Sequence, residues 1–301
     1  MLSVRFWGVR GSIPCPGPDT VIFGGNTSCI EIRADERLII VDLGTGVRPL
    51  GDWLMANDYK KYGKIEADIF VTHTHWDHIM GFPVFSPVYV PGTILRITGP
   101  VSLGNDTLES VINHQLSYHY WPVRVGELAA HIKFNQIKET TLDLGGGLTV
   151  TSKFLNHPIL CLGYRFFYKG KSIAAIFDHE PFRNLFTSDP SNKNYDEEKA
   201  KEGELAAASE NEKIVRFLHG ADILIQDTPY SSEEYFRHVG WGHASCEHAI
   251  KIACNANVKK LVFYHHDHSK TDKQLKKREK DYSKKSPVKI IMAKEGMTLK
   301  V

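Results

Sequence analysis

Ala67-Asp-Ile-Phe-Val-Thr-His-Thr-His-Trp-Asp-His78 is the stretch on which the reading of this chain turns. Its first part, Ala67–Thr72, is a short apolar run of strand length that feeds directly into His73. Four ligand-type side chains, His73, His75, Asp77 and His78, then follow within six residues. His73 and His75 are two apart, so on extended chain both project to one face. Two imidazoles converging on one point make a zinc-type arrangement. Asp77 and His78 come where the chain turns, and so reach a second point close by. Neutral imidazole combined with carboxylate suits zinc, iron, nickel or manganese. The order is strand first, polar cluster second, and the carboxyl end of a strand is where α/β sheets usually bind ligands.

Outward from this stretch the chain alternates between sheet and helix patterns. Upstream, Val4–Trp7, Ser28–Arg33 and Leu38–Asp42 read as strands, with Asp35-Glu36 as a hairpin turn. Leu50–Tyr59 carries a helical pattern. Downstream, Pro83–Pro100 is broken by prolines and is expected to cover a cavity. Leu148–Asn156, Tyr164–Tyr168, Ser172–Asp178, Asp222–Gln226 and Lys260–Tyr264 read as further strands. The mixed-charge segment Ser188–Glu204 is expected as a solvated loop. Ser209-x-x-Glu212 has capping-box spacing for a helix through His219, with Gly220 as its stop. Ser245 caps a second helix, whose Cys246, Ala249, Ile250 and Ala253 fall on one face. Ser269–Lys285 holds eight Lys/Arg against three Asp/Glu and reads as a basic, solvated terminal helix. No linker or repeat divides the chain, so one domain over residues 1–301, two sheet layers with helices outside, is the expectation.

Composition narrows the classes. The 301 residues include 37 Lys+Arg and 35 Asp+Glu, a formal charge of +2, too balanced to announce a nucleic acid or membrane by bulk electrostatics. No run of 18 apolar residues exists, which argues against a transmembrane helix. The N-terminus lacks a signal-peptide pattern. Five scattered cysteines without a Cys-x-x-Cys pair read as reduced thiols, as in a cytoplasmic protein.

The His73–His78 motif resembles the hallmark of the metallo-β-lactamase-fold hydrolase superfamily. That resemblance implies an α/β fold, the four-layer αββα sandwich, and a larger ligand set. His157 in Phe154-Leu-Asn-His-Pro158, Asp178 in Ala174-Ala-Ile-Phe-Asp-His-Glu180 and His265 after Lys260-Leu-Val-Phe-Tyr264 match its later ligand positions. His266 and His268 compete for the last place, and only the strand-end position favours His265. Arg10-Gly-Ser-Ile-Pro14, Gly24-Gly-Asn-Thr-Ser-Cys29, Asp178-His-Glu-Pro181, Gly240-Trp-Gly-His-Ala-Ser245 and His265-His-Asp-His268 look like the phosphodiesterase branch. That branch holds ribonuclease Z, the cyclic phosphodiesterase of phosphonate metabolism and bacterial cyclic-nucleotide phosphodiesterases.

The resemblance implies a dinuclear metal-dependent phosphodiesterase using two divalent ions, zinc first, with manganese and iron also accommodated. His73, His75 and His157 would hold one ion and Asp77, His78 and His265 the other, with Asp178 bridging. A metal-activated hydroxide would attack the phosphodiester. His243 would act on the substrate phosphate or leaving group, and Asp77 would also orient the water. His179 and Asp227 are expected to orient ligands by hydrogen bonds. Asn26 and Ser28 read as turn formers. A small phosphodiester, preferably a cyclic nucleotide, is the expected substrate. A ribonuclease Z-like RNA endonuclease is the alternative, weakened because Val101–Asp143 lacks the Gly-rich, basic character of that family's substrate arm. Thioester or lactone hydrolysis and di-iron redox chemistry are rivals on the same fold; His75 argues against the flavodiiron type, which carries glutamate there. No membrane partner is expected, and homodimerisation is common in such folds.

Overall fold

The computed structural model describes residues 1–101, 104 and 106–301. The N-terminal part supplies β1 (Leu2–Gly8), β2 (Cys29–Ala34), β3 (Arg37–Val41), β4 (Glu66–Phe70), β5 (Ile94–Pro100) and β6 (His131–Ile137). The C-terminal part supplies β7 (Thr141–Gly145), β8 (Leu148–Leu155), β9 (Cys161–Tyr168), β10 (Lys171–Ile176), β11 (Ile223–Asp227), β12 (Lys260–Tyr264) and β13 (Lys289–Met292), and β14 (Thr298–Lys300) returns to the first sheet. The sheet orders are β14-β1-β2-β3-β4-β5-β6 and β13-β12-β11-β10-β9-β8-β7. In each sheet an antiparallel part gives way to a parallel run, β3 to β6 in one and β10 to β13 in the other.

Alternation decides which face each strand buries. Val4, Phe6, Ile30, Ile32 and Phe70 from the first sheet meet Tyr164, Phe166, Ile173, Ile225 and Val262 from the second in one inter-sheet core. The opposite face of the first sheet, with Ile40, Ala67, Ile69 and Ile97, is covered by α1 (Val47–Leu54) and its continuation. This helix runs on through a π turn at Met55–Tyr59 into α2 (Lys60–Tyr62), so it exceeds the expected Leu50–Tyr59 at both ends. The single turn α3 (Trp76–Ile79) carries the end of the opening motif, and α4 (Leu108–Gln115) lies over the same outer face. The outer face of the second sheet is covered by α5 (Glu197–Leu218), with α6 (Ser232–Tyr235) beyond it, then α7 (Cys246–Asn255) and α8 (Asp272–Lys285). The order helix, sheet, sheet, helix is the expected four-layer αββα sandwich.

Three expectations fail locally. Pro83–Pro100 is not wholly irregular: after two 3-10 turns the chain enters β5, paired on both sides inside the sheet. The alternation of Ile94-Leu-Arg-Ile97 outweighs the prolines, which fall before the strand and at its last residue. Ser188–Glu204 is not all loop, since α5 starts at Glu197 with the Asp196 carboxylate accepting from the Lys199 amide. Ser209 and Glu212 consequently lie inside that helix rather than at its cap. Gly203 lies within this helix, and a Cβ there would lie 2.1 Å from Asn184 Oδ1, so it is a packing glycine. Gly220 does stop the helix in a left-handed conformation, and Ser245 Oγ caps α7 through the His248 amide. In α8 only part of the basic character faces solvent. Arg278 and Lys270 turn inward and pair with Glu234, tying α8 to the segment around α6.

Candidate metal centre

Every motif residue sits at a strand end or a turn on one edge of the sandwich. Asp42 directly follows β3, His73 comes three residues after β4, Asp178 two after β10, Asp227 ends β11, and His265 directly follows β12. All five leave the carboxyl ends of parallel-run strands, where side chains from neighbouring strands converge. Asp42, Asp178 and His265 adopt positive φ, at 64°, 55° and 55°. Left-handed backbone in non-glycine residues costs about 1–3 kcal/mol each and concentrates at functional sites.

The predicted residues come together in two adjoining groups. Ligand atoms of His73, His75, His157 and Asp178 lie within 4.8 Å of one another, as do those of Asp77, His78 and His265. His75 Nδ1 is 3.0 Å from both His73 Nε2 and His157 Nε2. In the second group His265 Nε2 is 3.0 Å from Asp77 Oδ2 and 3.2 Å from His78 Nε2. Asp178 stands between the groups: Oδ2 is 3.5 Å from His73 Nε2 and 3.3 Å from His78 Nε2, and Oδ1 is 3.3 Å from His265 Nε2. His265, rather than its neighbours, faces the cluster. His266 donates from Nε2 to the Ala293 carbonyl, and His268 is exposed.

The far side of the imidazoles shows which nitrogen is offered inward. His78 Nδ1 donates to Asp42 Oδ2 at 2.7 Å, His157 Nδ1 to the Gly242 carbonyl at 3.1 Å, and His243 Nδ1 to Asp227 Oδ2 at 3.2 Å. At His78 and His157 such a bond leaves Nε2 as the nitrogen offered to the cluster, as second-layer partners of metal ligands do, and at His243 it turns Nε2 the same way. Lone pairs gathered nitrogen to nitrogen repel unless a cation lies among them. Asp178 Oδ1 is likewise buried without a hydrogen-bond donor. The donor set is all imidazole and carboxylate, so these residues fit divalent metal ions.

Burial and charge sort the protonation states. Burial drives His73 well below the ordinary histidine range, aided by the positive charge of His78. Burial also lowers His75, and lowers His157 to about 4. At His78 burial acts downward too, but Asp77, Asp178 and Asp42 outweigh it and raise the imidazole well above its usual value. For Asp77 and Asp178 burial acts upward and the neighbouring histidines win, holding both carboxyls below the ordinary range. Burial works against protonation of His243 as well, yet Asp178 and Asp227 raise it to about 9. His243 lies over both groups, 5.3 Å from the His265 ring and 5.6 Å from that of His157, and its ligand atom also comes within reach of Asp178 and His265.

The supporting shell was only partly foreseen. Asp227 holds His243 and also accepts from the Ala244 and His179 amides. His179 does not face the cluster; its Nδ1 accepts the Asn156 amide and so braces the turn carrying His157. Asp42 was missed. Its carboxylate accepts from the Thr72 amide and hydroxyl, the Ser28 hydroxyl and His78, all at 2.7–3.1 Å. The available signal was an acid at the very end of the strand-like run Leu38–Asp42, before Gly44. Ser28 is thus part of this network, whereas Asn26 binds Glu295 away from it. Gly242 has a steric reason: a Cβ there would lie 2.2 Å from His157 Nδ1. Gly11 likewise leaves room for the His265 ring, 2.3 Å from where its Cβ would be.

Comparison with known proteins agrees with this geometry. Residues 22–160 match the family model described as the metallo-beta-lactamase superfamily. Ribonuclease Z of Streptococcus agalactiae serotype V is 27% identical over 231 residues, 65% of this chain and 70% of that protein. Human tRNase Z, short form, superposes with a TM-score of 0.63 at 19% identity, covering 99% of both chains. A diphosphatase from the PhnP family gives a TM-score of 0.63 at 18% identity, covering 100% of this chain and 98% of that one.

Proposed function

We propose that this chain, a metal-dependent hydrolase built on a metallo-beta-lactamase superfamily domain, cleaves phosphodiesters, with a cyclic nucleotide as the preferred substrate. The observation that carries the reading is the Asp227–His243 pair set over the two ligand groups. His73, His75 and His157 would hold one divalent ion, Asp77, His78 and His265 a second, and Asp178 both; zinc is the first choice for so histidine-rich a set. Bound there, the ions supply Lewis acidity, acidifying a water and neutralising charge on phosphoryl oxygens.

The chain's own groups do the rest. Asp77, its Oδ2 held by the Ser12 amide at 2.7 Å, would also orient the attacking water. Asp227 fixes the His243 tautomer so that Nε2 faces the substrate side. From Nε2, His243 donates to a phosphoryl oxygen or passes a proton to the leaving alkoxide. The ribonuclease Z relatives and the fold shared with human tRNase Z and the PhnP-family diphosphatase support phosphoryl over carbonyl substrates. A small diester is preferred to RNA because the formal charge is only +2 and two cations of the basic C-terminal segment, Lys270 and Arg278, are spent on Glu234.

Hydrolysis of bis(p-nitrophenyl) phosphate by metal-replete protein tests the reading, with Asp77→Ala as control. Turnover that disappears in the variant is expected. Absence of turnover from a protein carrying both metals would reject the phosphodiester assignment.

A further inference from the structure

Glu180, in the run Asp178-His-Glu-Pro181, has no part in either ligand group, yet it is only 3% exposed. The donors to its carboxylate all come from one loop: the Tyr235 hydroxyl at 2.6 Å, the Gly240 amide at 2.8 Å and the Gly242 amide at 2.9 Å. A buried carboxylate is costly unless hydrogen bonds replace its water, and bonds to an ionised acceptor are the strong ones. Gly240 and Gly242 hold φ of 91° and 82°, where a side chain would be strained. The carboxylate therefore gathers the segment Tyr235–Gly242 into one conformation.

That segment bears on both halves of the site. The Gly242 carbonyl accepts from His157 Nδ1 at 3.1 Å, and His157 Nε2, the nitrogen left for the cluster, lies 3.0 Å from His75 Nδ1. A Cβ on Gly242 would stand 2.2 Å from His157 Nδ1, so loop and imidazole are in close contact. His243 comes next in the chain, and Asp227 takes over there, accepting from His243 Nδ1 at 3.2 Å and from the Ala244 amide at 3.1 Å. Glu180 thus fastens the loop before His243, and Asp227 fastens it after. The Glu180 backbone completes the link: its amide donates to the Asn156 carbonyl at 2.9 Å, one residue before His157.

We propose that Glu180 is a positioning residue for two imidazoles at once. Through Gly242 it sets His157, which would hold the first ion, and through the same loop it sets His243, which would act on the phosphate. The proposal rests on the ligand assignment and on the role given to His243. Its chemistry separates two substitutions. In Glu180→Gln one oxygen can still accept both amides, since Gly240 N also lies 3.0 Å from the Oε2 that Gly242 uses, and the side-chain NH2 can donate to the Tyr235 oxygen. Glu180→Met keeps the bulk and leaves both amides unpaired.

Zinc affinity, read by competition with a chelating dye, tests the first half. Glu180→Met should bind one of its two ions about 10–100-fold more weakly and the other as before. Glu180→Gln should restore most of that loss. In a His157→Ala background, where the first group is already broken, Glu180→Met should cost the remaining ion nothing more. Equal weakening of both ions, unchanged affinity, or a further loss in the double variant would overturn the proposal. Should Glu180→Met not fold, Tyr235→Phe removes one of the three donors and should weaken the same ion by a smaller factor; weakening of the other ion would overturn the proposal equally. At saturating zinc, kcat of Glu180→Met on bis(p-nitrophenyl) phosphate should fall by at least about 10-fold with KM little changed, as for a displaced proton donor. Unchanged kcat would overturn the half that concerns His243. The zinc titration needs no turnover, so wild-type protein that binds two ions and hydrolyses no diester would reject the phosphodiester reading while the titration still decides on Glu180.

Discussion

At the scale of single residues, the groups proposed to hold metal are separate from those proposed to act beside it. Asp178 lies between both sets of ligand atoms, so Asp178→Ala should lower bound metal towards one ion or none per chain. Metal analysis of the purified variant checks this, and wild-type content would refute a bridging role. His243 stands outside both ligand groups, in reach of Asp178 and His265, which those groups already hold without it. His243→Ala is therefore expected to keep its metal and lose rate by about 10²–10⁴-fold. Lost metal in that variant would reassign the residue as a ligand. Asp42 touches no substrate-side atom but holds His78 through a 2.7 Å hydrogen bond. Asp42→Asn should weaken metal affinity by about 10–100-fold, read by competition with a chelating dye, whereas unchanged affinity would make its role purely structural.

At the scale of elements, α7 gives a pH prediction away from the ligands. His248 sits in its first turn with Nε2 buried and unpartnered among the described residues, and burial, with Lys251 nearby, lowers it to about 4. An unfolded histidine titrates near 6.5, so between about 6.5 and 4 the unfolded chain binds a proton that the folded one refuses. Stability is thus full above 6.5 and lost as pH falls through that window, by roughly 2 kcal/mol after allowing for partial exposure. Urea midpoints at pH 7 and pH 4.5 should lie closer together in His248→Gln than in the wild type; identical spacing would show that His248 does not contribute. The same scale explains what could be read without coordinates. Ala67–Phe70 and the strands before Asp178 and His265 were legible because buried parallel strands are short apolar runs. His73 to His78 was legible because local spacing alone brings its members together. The N-terminal half of α5 was not, because its apolar side chains are few and it contains Gly203, whose role is close packing against Asn184. Asp42 escaped because its partners, Thr72 and His78, are 30 and 36 residues away, and one acid at a strand end carries no pattern of its own.

At the scale of the whole molecule, the proposed ligands come from both sheets: His73, His75, Asp77 and His78 follow the first, and His157, Asp178 and His265 follow strands of the second. Metal bound among them would act as a clamp across the sandwich, adding to the inter-sheet core of Phe70, Tyr164 and Phe166 that packs just behind. The unfolded chain cannot present ligands so far apart in sequence, so binding free energy becomes folding free energy. An ion at a thousand times its dissociation constant stabilises by about 4 kcal/mol. For a chain of this size that moves the midpoint by about 6 °C. Scanning calorimetry with and without chelator should show a shift of that order, reversed by adding zinc. The shift should narrow as pH falls, because His78, held well above its usual value by Asp77, Asp178 and Asp42, must shed a proton before it can bind. A midpoint indifferent to chelator, in protein first shown to contain metal, would mean that the two sheets hold the site in place on their own and that the ions add nothing to the fold.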